Sequence, residues 1–300
     1  MSAFTEIDLS QLPAPDVVEA LDFETILAAI KADFVARSPD HADVLDLESE
    51  PLVKLMESAA YVALTLRQRV NDGARAVMLA YATGTDLEHL GALFGVERQL
   101  IDAGDPEATP PVPATYEADT RLRQRIQLSL EGHSTAGPEG AYIFWGLSTS
   151  PLVNDIGITS PAPGEVLITV LSTEGDGTAD TNLKAAVYST VNADDVRPLT
   201  DQVTVQSATI IDYTVTAELT FYQGPDTAVV LAAATQAVTD YCTAHHKLGH
   251  DITISGLHAA LHQPGVQNVN LTAPAADIVV ADTGAAHCSA ITVTDAGTGE

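Results

Sequence analysis

The 300-residue sequence predicts an α+β chain, with a helical N-terminal half followed by mixed α/β units with antiparallel sheet. Three observations predict it. Between residues 23 and 150 apolar positions recur every three to four residues, the period of an amphipathic helix. Near residue 152 the pattern switches to short β-branched runs bounded by Pro or Gly. Residues 211–222, IDYTVTAELTFY, alternate strictly: Ile211, Tyr213, Val215, Ala217, Leu219 and Phe221 share one face, and Asp212, Thr214, Thr216, Glu218 and Thr220 the other. One apolar and one polar face suggest an antiparallel sheet.

Residues 1–22, acidic and broken by Pro13 and Pro15, read as an extended arm that is not a packed element. Phe23, Ile26, Leu27, Ile30 and Phe34 mark a first helix. A long helical tract is expected from about Glu50 to Thr83, started by Pro51 and stopped by Gly84. It is apolar on several sides and so needs several neighbours. Asn71, Asp72 and Gly73 are expected to kink or split it. A short helix with Thr85 as N-cap follows, then an acidic, proline-rich loop over 102–120. The next helix, EADTRLRQRIQLSLEG, carries Leu122, Ile126 and Leu130 in one stripe, and Pro138 opens another. Strands are expected at 152–160, 164–172 and 201–208, with a helix over about 179–192. After the strand at 211–222 come a helix at 226–246, a strand DITI at 251–254, a short helix at 255–263 and strands at 266–272 and 290–294. The domain reading is thus an arm at 1–22, a helical region at 23–150, an α+β region at 151–290 and a flexible tail at 291–300.

Charge excludes whole function classes. Thirteen Lys and Arg face 41 Asp and Glu, a formal charge of −28. Nucleic acid needs a basic footprint, and the longest basic cluster, RLRQR at Arg121–Arg125, sits in a helix beside Glu117, Asp119 and Glu131. Pairing within that helix and subunit contacts are the expected use of those arginines. No nucleic acid and no membrane insertion are expected; there is no secretory-type N-terminal run. Two cysteines, Cys242 and Cys288, make neither a CxxC pair nor a disulfide scaffold.

The sharpest candidate for chemistry is histidine-rich. Residues 241–266 hold His245, His246, His250, His258 and His262. His258 and His262 stand four apart, the spacing of two metal ligands on one helical face, with His250 as a third candidate. A zinc-dependent hydrolase using the segment 245–262 is therefore the alternative reading. Against it, Ala259 stands where a zinc hydrolase places its basic Glu, and histidines on the rim of a short helix are common. The glycine stretch STEGDGTA (172–179) lacks the Gly-Lys-Ser/Thr of a phosphate loop and is acidic, so it reads as a tight strand-to-helix turn. Asp180, Asp194 and Asp195 read as caps and solvated faces. No G-x-S-x-G elbow occurs. The expectation is no enzyme, no catalytic residue and no cofactor.

Four stretches carry a family resemblance. YATGTDLEHLGALFGVERQ (81–99) is similar to an A-x-G-x-x-L-D/E-x-L-A/G-x-x-x-G-x-x-R signature. YEADTRLRQRIQLSLEGHSTAGPEGAYIFW (116–145) has an Arg-rich helix followed by an A-G-x-x-x-x-Y turn. PGEVLITVLSTEGDGTA with VRPLTDQVTV is the third. LGHDITISGLHAALHQPGVQNVNL resembles a G-x-x-I-x-x-S-x-L-x-x-x-L-x-x-x-x-G-V-x-x-V segment. In this order, over about residues 50–275, they resemble the baseplate J-like family of contractile-tailed phages. The arm and the last ~25 residues match these motifs less well.

The resemblance implies a structural wedge component of the baseplate, in a phage tail or a related contractile injection particle, assembled in the bacterial host cytoplasm. The implied partners are a second wedge protein, a lysozyme-like sheath initiator and copies of itself, closing a six-fold ring round the hub. It implies that residues 23–150 form the wedge core and 151–290 make wedge-to-wedge contacts. Ile252, Ile254, Leu257, Leu261, Val266 and Val269 would be core, and the histidines, outside the family pattern, rim or interface residues.

Overall fold

The computed structural model describes residues 7, 9, 12, 13, 15, 17–47, 49–134, 138–224 and 226–299. The Ala136-Gly137 part of the A-G-x-x-x-x-Y turn, Pro225 and most of the first sixteen residues lie outside these. The described residues divide into two compact units, one within 7–97 and 118–123 and the other within 98–117 and 124–299.

The first unit is helical. α1 (Phe23–Arg37) starts where the Asp22 carboxylate accepts the Thr25 N–H. A 3₁₀ segment spans Pro39–Asp46. α2 (Pro51–Ala76) uses Pro51 in its first turn, where the missing N–H costs nothing. Ile26 and Leu27 of α1 bury against Met56 and Ala60 of α2, with Phe23, Ile30 and Phe34 packed around them. α2 ends earlier than the periodicity suggests. Nor does it kink at Asn71, which lies inside the helix and 4% exposed. The Asn71 Oδ1 accepts the Glu19 N–H at 3.0 Å and its Nδ2 donates to the Glu19 carbonyl at 2.9 Å. Arg67 pairs with the Glu19 carboxylate, and the Tyr81 hydroxyl donates to the Leu12 and Pro13 carbonyls. The described part of the arm is therefore irregular but fastened, a correction to its reading as unpacked chain. α3 (Gly84–Ala92) is capped at Thr83, not Thr85, and the Asp119 carboxylate receives the Gly84 N–H at 3.0 Å.

The second unit carries the sheets. β1 (Leu100–Asp102) and β2 (Thr115–Tyr116) form a small antiparallel ladder within the proline-rich loop. α4 (Asp119–Gly132), whose first residues group with the helical unit, buries Leu122, Ile126, Leu128 and Ser129. Leu130 is 67% exposed; the stripe continues through Ser129, whose hydroxyl donates to the Ile126 carbonyl. α5 (Glu139–Thr149) packs Phe144 so closely on Gly132 that a Cβ there would strike the ring. Two arginines of the RLRQR cluster reach beyond their own helix. Arg123 donates to the Leu79 and Ala82 carbonyls, and Arg125 makes a buried ion pair with Glu117.

β3 (Val153–Thr159), β4 (Glu165–Ser172) and β5 (Gln202–Ser207) form one sheet in the order β3-β4-β5. β3 pairs antiparallel to β4, and β5 parallel to it, with α6 (Thr181–Val191) as the crossover. Asp180 caps α6, accepting the Leu183 N–H at 2.7 Å, as its position before the apolar run suggests. The STEGDGTA stretch is the strand-to-helix turn: Gly177, at φ +99°, passes where any Cβ would strike Leu171 at 2.6 Å.

The second sheet, order β7-β6-β8, holds the main core. β6 (Thr209–Tyr222) buries Tyr213, Val215, Ala217, Leu219 and Phe221 and leaves Asp212, Thr214 and Glu218 exposed, the alternation read from sequence. Each large buried apolar side chain contributes about 1.5–3 kcal/mol. α7 (Thr227–Ala244) lays Val230, Ala234, Val238 and Cys242 on that face, four apart and in one stripe. α8 (Ile254–Leu261), capped by Thr253, adds Leu257 and Leu261. DITI is not a strand: Ile252 makes a single bridge to Ile278, and Ile254 already begins α8. Ile252, Leu257, Leu261, Val266 and Val269 are buried, but Ile254 only partly.

β7 (Val266–Ala273) pairs antiparallel to β6, and β8 (Gly284–Gly299) parallel to it, so both sheets are mixed. β8 also corrects the reading of 291–300 as a flexible tail, since its ladder runs to Gly299 opposite Tyr222. Among the described residues no helix is long and apolar enough to cross a membrane.

Candidate functional site

The histidine-rich segment leaves the end of α7 and turns into α8. His245 is the cap residue of α7; its ring stacks on Tyr241 at 4.1 Å and its Nδ1 lies 2.9 Å from the Tyr241 carbonyl. His246 is a bolt between elements. Its Nδ1 is 2.7 Å from the Ala286 carbonyl on β8, and its own carbonyl accepts from Asn154 on β3 at 3.1 Å. Next to it the Leu248 N–H donates to the Asp155 carboxylate at 3.0 Å. Withdrawal from water pushes the Asp155 carboxyl above its usual range, against the two N–H groups it accepts.

His250 is exposed, its ring 6.1 Å from that of His245. Partial desolvation, then the neighbouring Lys247 charge, holds it below the usual imidazole range. His258 lies on α8; His262 is the exposed residue that caps it. Among the described residues no three His, Cys, Asp or Glu side chains are grouped to hold a metal ion, so His250, His258 and His262 are not gathered into a ligand set.

The structure instead gathers residues that the sequence kept apart. A cleft of about 370 Å³ is lined by Asn154, Thr173, Cys242, His246, His287 and Cys288. Cys242 comes from α7, and Cys288, whose thiol donates to the Ala290 carbonyl at 3.5 Å, from β8. The neighbouring Cys288 side chain lowers the Cys242 thiol to about 7, and Cys242, then burial, pushes the Cys288 thiol upward. Burial, and then Cys242, raises the Tyr213 phenol. His287 lies 5.7 Å from His246, ring to ring, with its Nδ1 2.7 Å from the Asp212 carboxylate. Two cysteines 46 positions apart give no local signal of this; parallel pairing of β6 with β8 creates it.

The other exposed feature is a surface. Leu55, Val62, Leu66, Val70 and Val77 are 57–70% exposed. At 100° per residue they fall within an arc of roughly 80° on α2 and its cap, about 33 Å long. Val53, Met56, Ala60 and Asn71, the buried side of α2, are centred about a third of a turn away. The exposed stripe has the width and length of a helix-packing seam.

Residues 48–105, 134–207 and 213–294 match, in order, the baseplate J-like N-terminal domain, the central domain and the C-terminal domain. The likeness therefore reaches further along the last strand than the motifs do. "Baseplate protein J" of Escherichia phage P2 is 50% identical over 299 residues, covering 98% of this chain and 99% of its own. A chain in the structure titled "Cryo-EM structure of the anti-feeding prophage (AFP) baseplate, 6-fold symmetrised" is 18% identical with a TM-score of 0.37, over 62% of this chain and 44% of that one. With half of its positions shared end to end with that phage protein, and the three domains present in order, the chain belongs to the baseplate J-like family.

Proposed function

We propose that the chain is a structural wedge component of a contractile-tail baseplate, and that it works by holding neighbours, not by transforming a substrate. Its place is the tail baseplate of a virion or related particle. The partners are a second wedge protein, a lysozyme-like sheath initiator and further copies of this chain, which together close a six-fold ring round the hub. In this reading the helical region binds wedge partners, and the region from 151 onward makes wedge-to-wedge contacts.

The observation that carries the reading is the apolar stripe on α2. Five large apolar side chains in one row are costly to leave in water and are the ordinary mark of a surface awaiting a partner. Another helix, from a sibling copy or a second wedge protein, fits a straight seam of this length. A large net negative charge keeps unassembled subunits apart until such a partner docks.

The test is a full-length triple variant, Val62→Asp, Leu66→Asp and Val70→Asp. These side chains are exposed, so unfolding stability should change by less than about 1 kcal/mol. Co-purification with co-expressed baseplate proteins should be lost. A variant that still assembles would remove α2 from the interface and the reading with it.

A further inference from the structure

The exposed row on α2 has a symmetry of its own. With the exposed small residues between them, the seam positions are Leu55, Ala59, Val62, Leu66, Val70, Gly73 and the cap residue Val77. Their spacings are four, three, four, four, three and four, the same from either end. The sizes mirror as well: large, small and large on each side of a central Leu66. A copy of this helix laid antiparallel, with the two-fold axis at Leu66, sets Leu55 against Val77 of the second copy, Val62 against its Val70 and Ala59 against its Gly73. We propose that this face of α2 is a two-fold interface, occupied by the same face of a second copy of this chain. The proposal rests on the wedge reading above and names the partner that the seam takes.

Composition, area and charge all favour a second copy. Gly73 stands inside a helix, where glycine is less stable than alanine. Nothing in its own chain asks for it, since a Cβ there would meet no atom within 4 Å. Close approach of another backbone gives it a use, and the position it mirrors, Ala59, is the other small residue of the row. Five Leu and Val side chains 57–70% exposed offer roughly 500 Å² per copy, so two copies bury roughly 1,000 Å² before their rims are added, the threshold for a specific interface. The chain carries 41 Asp and Glu, yet the seam side of α2 has none. At 100° per residue Glu57 and Asp72, the acids of α2, lie about a third of a turn or more from the seam, and among the charged residues of α2 only Arg69 lies beside it. Two copies of a chain with a formal charge of −28 thus meet where α2 brings no carboxylate. The mean spacing of the row, about 3.7 residues, is nearer the 3.6 of a straight helix than the 3.5 of a left-handed coiled coil, so the seam runs almost straight along α2.

The experiment uses the full-length chain, purified alone. Sedimentation should give twice 31.4 kDa at micromolar concentration. Leu66→Cys, mildly oxidised, should form a covalent dimer, with the parent chain, which keeps Cys242 and Cys288, as the control. In an antiparallel pair the two copies of residue 55 stand about 33 Å apart. Leu55→Cys and Val77→Cys should therefore each give no more covalent dimer than the parent, and should link to one another when mixed. Gly73→Leu has room in its own chain, so the melting temperature should hold while the dimer Kd rises at least about tenfold. A parent chain that sediments as a monomer at about 100 µM, a Leu66→Cys chain with no more covalent dimer than the parent, Leu55→Cys chains that link to each other, or Gly73→Leu dimers as tight as the parent's would each overturn the proposal. If the parent is monomeric while the triple Asp variant still loses co-purification with the other baseplate proteins, the seam takes a different protein; this proposal then falls and the wedge reading stands.

Discussion

Replacing Glu117 by Gln should unfold this chain more readily than almost any other substitution that preserves side-chain shape. Glu117 lies just before α4, and its side chain is 0% exposed against 6% for Arg125. Its Oε1 accepts from the Arg125 guanidinium and from the Gln99 N–H at 3.0 Å. Its carbonyl takes Arg98 Nη1 at 2.6 Å, and its own N–H donates to the Gln99 carbonyl. The glutamine fits the same space and can still receive Gln99. What it cannot do is balance the charge on Arg125, which stays buried beside a neutral amide. Breaking a buried pair in this one-sided way costs about 3–5 kcal/mol. With a urea m-value of about 2–3 kcal/mol/M the midpoint should fall by about 1–2 M. Trp145, the sole tryptophan, donates to the Gly132 carbonyl at the end of α4 and gives the fluorescence signal. In Glu117→Gln/Arg125→Met the buried positive charge is removed as well, and most of the loss should return. The reasoning fails if Glu117→Gln shifts the midpoint by less than about 0.3 M, or if the double variant is no better than the single.

Two further outcomes follow from the geometry. Asn71→Ala removes both side-chain hydrogen bonds to the Glu19 backbone, so limited proteolysis within residues 12–20 should accelerate at least about tenfold, for about 1–3 kcal/mol of lost fastening; an unchanged cleavage rate would show that Arg67 and Tyr81 hold the segment unaided. Asp155 has its folded-state carboxyl raised above 3.8. Between that unfolded value and the raised folded one the native chain keeps a proton the unfolded chain has released, so its contribution is full below about 3.8 and is lost as pH rises through the folded value. Urea midpoints measured against pH should therefore slope downward across that interval in the parent and less so in Asp155→Asn; parallel profiles would contradict it.

Where local pattern and tertiary environment agree, the structure was legible in advance. β6 alternates because one face meets α7 and α8 and the other meets water, and any strand so placed shows period two. Asp180 announces α6 because an N-cap is a contact three residues long. What escaped were contacts between distant positions. Asn71 looked like a helix breaker; its partner is Glu19, 52 residues away. Residues 296–299, AGTG, looked loose because their side chains are small, yet strand pairing is made by backbone groups and needs no large side chain. DITI had the β-branched composition of a strand, but Thr253 caps a helix in its midst. The histidines drew attention by abundance, while the cleft that holds Cys242 and Cys288, spread over several elements, had no motif to show. The α2 stripe was half visible: apolar residues on several sides called for several neighbours, and only the fold shows which side is left without one.

The parallel pairing of β8 with β6 also has a temporal meaning. Asp212 on β6 is translated 75 residues before its partner His287. Throughout that interval the long, apolar middle strand has one flank with nothing to bond, a template on which any stray extended segment could add. Crowding many nascent copies together, as high-level expression does, would favour strand exchange between chains over correct closure. Slowing synthesis or lowering temperature should raise the yield of soluble protein more than any change to the helical unit, which closes on itself long before the ribosome reaches the final strand.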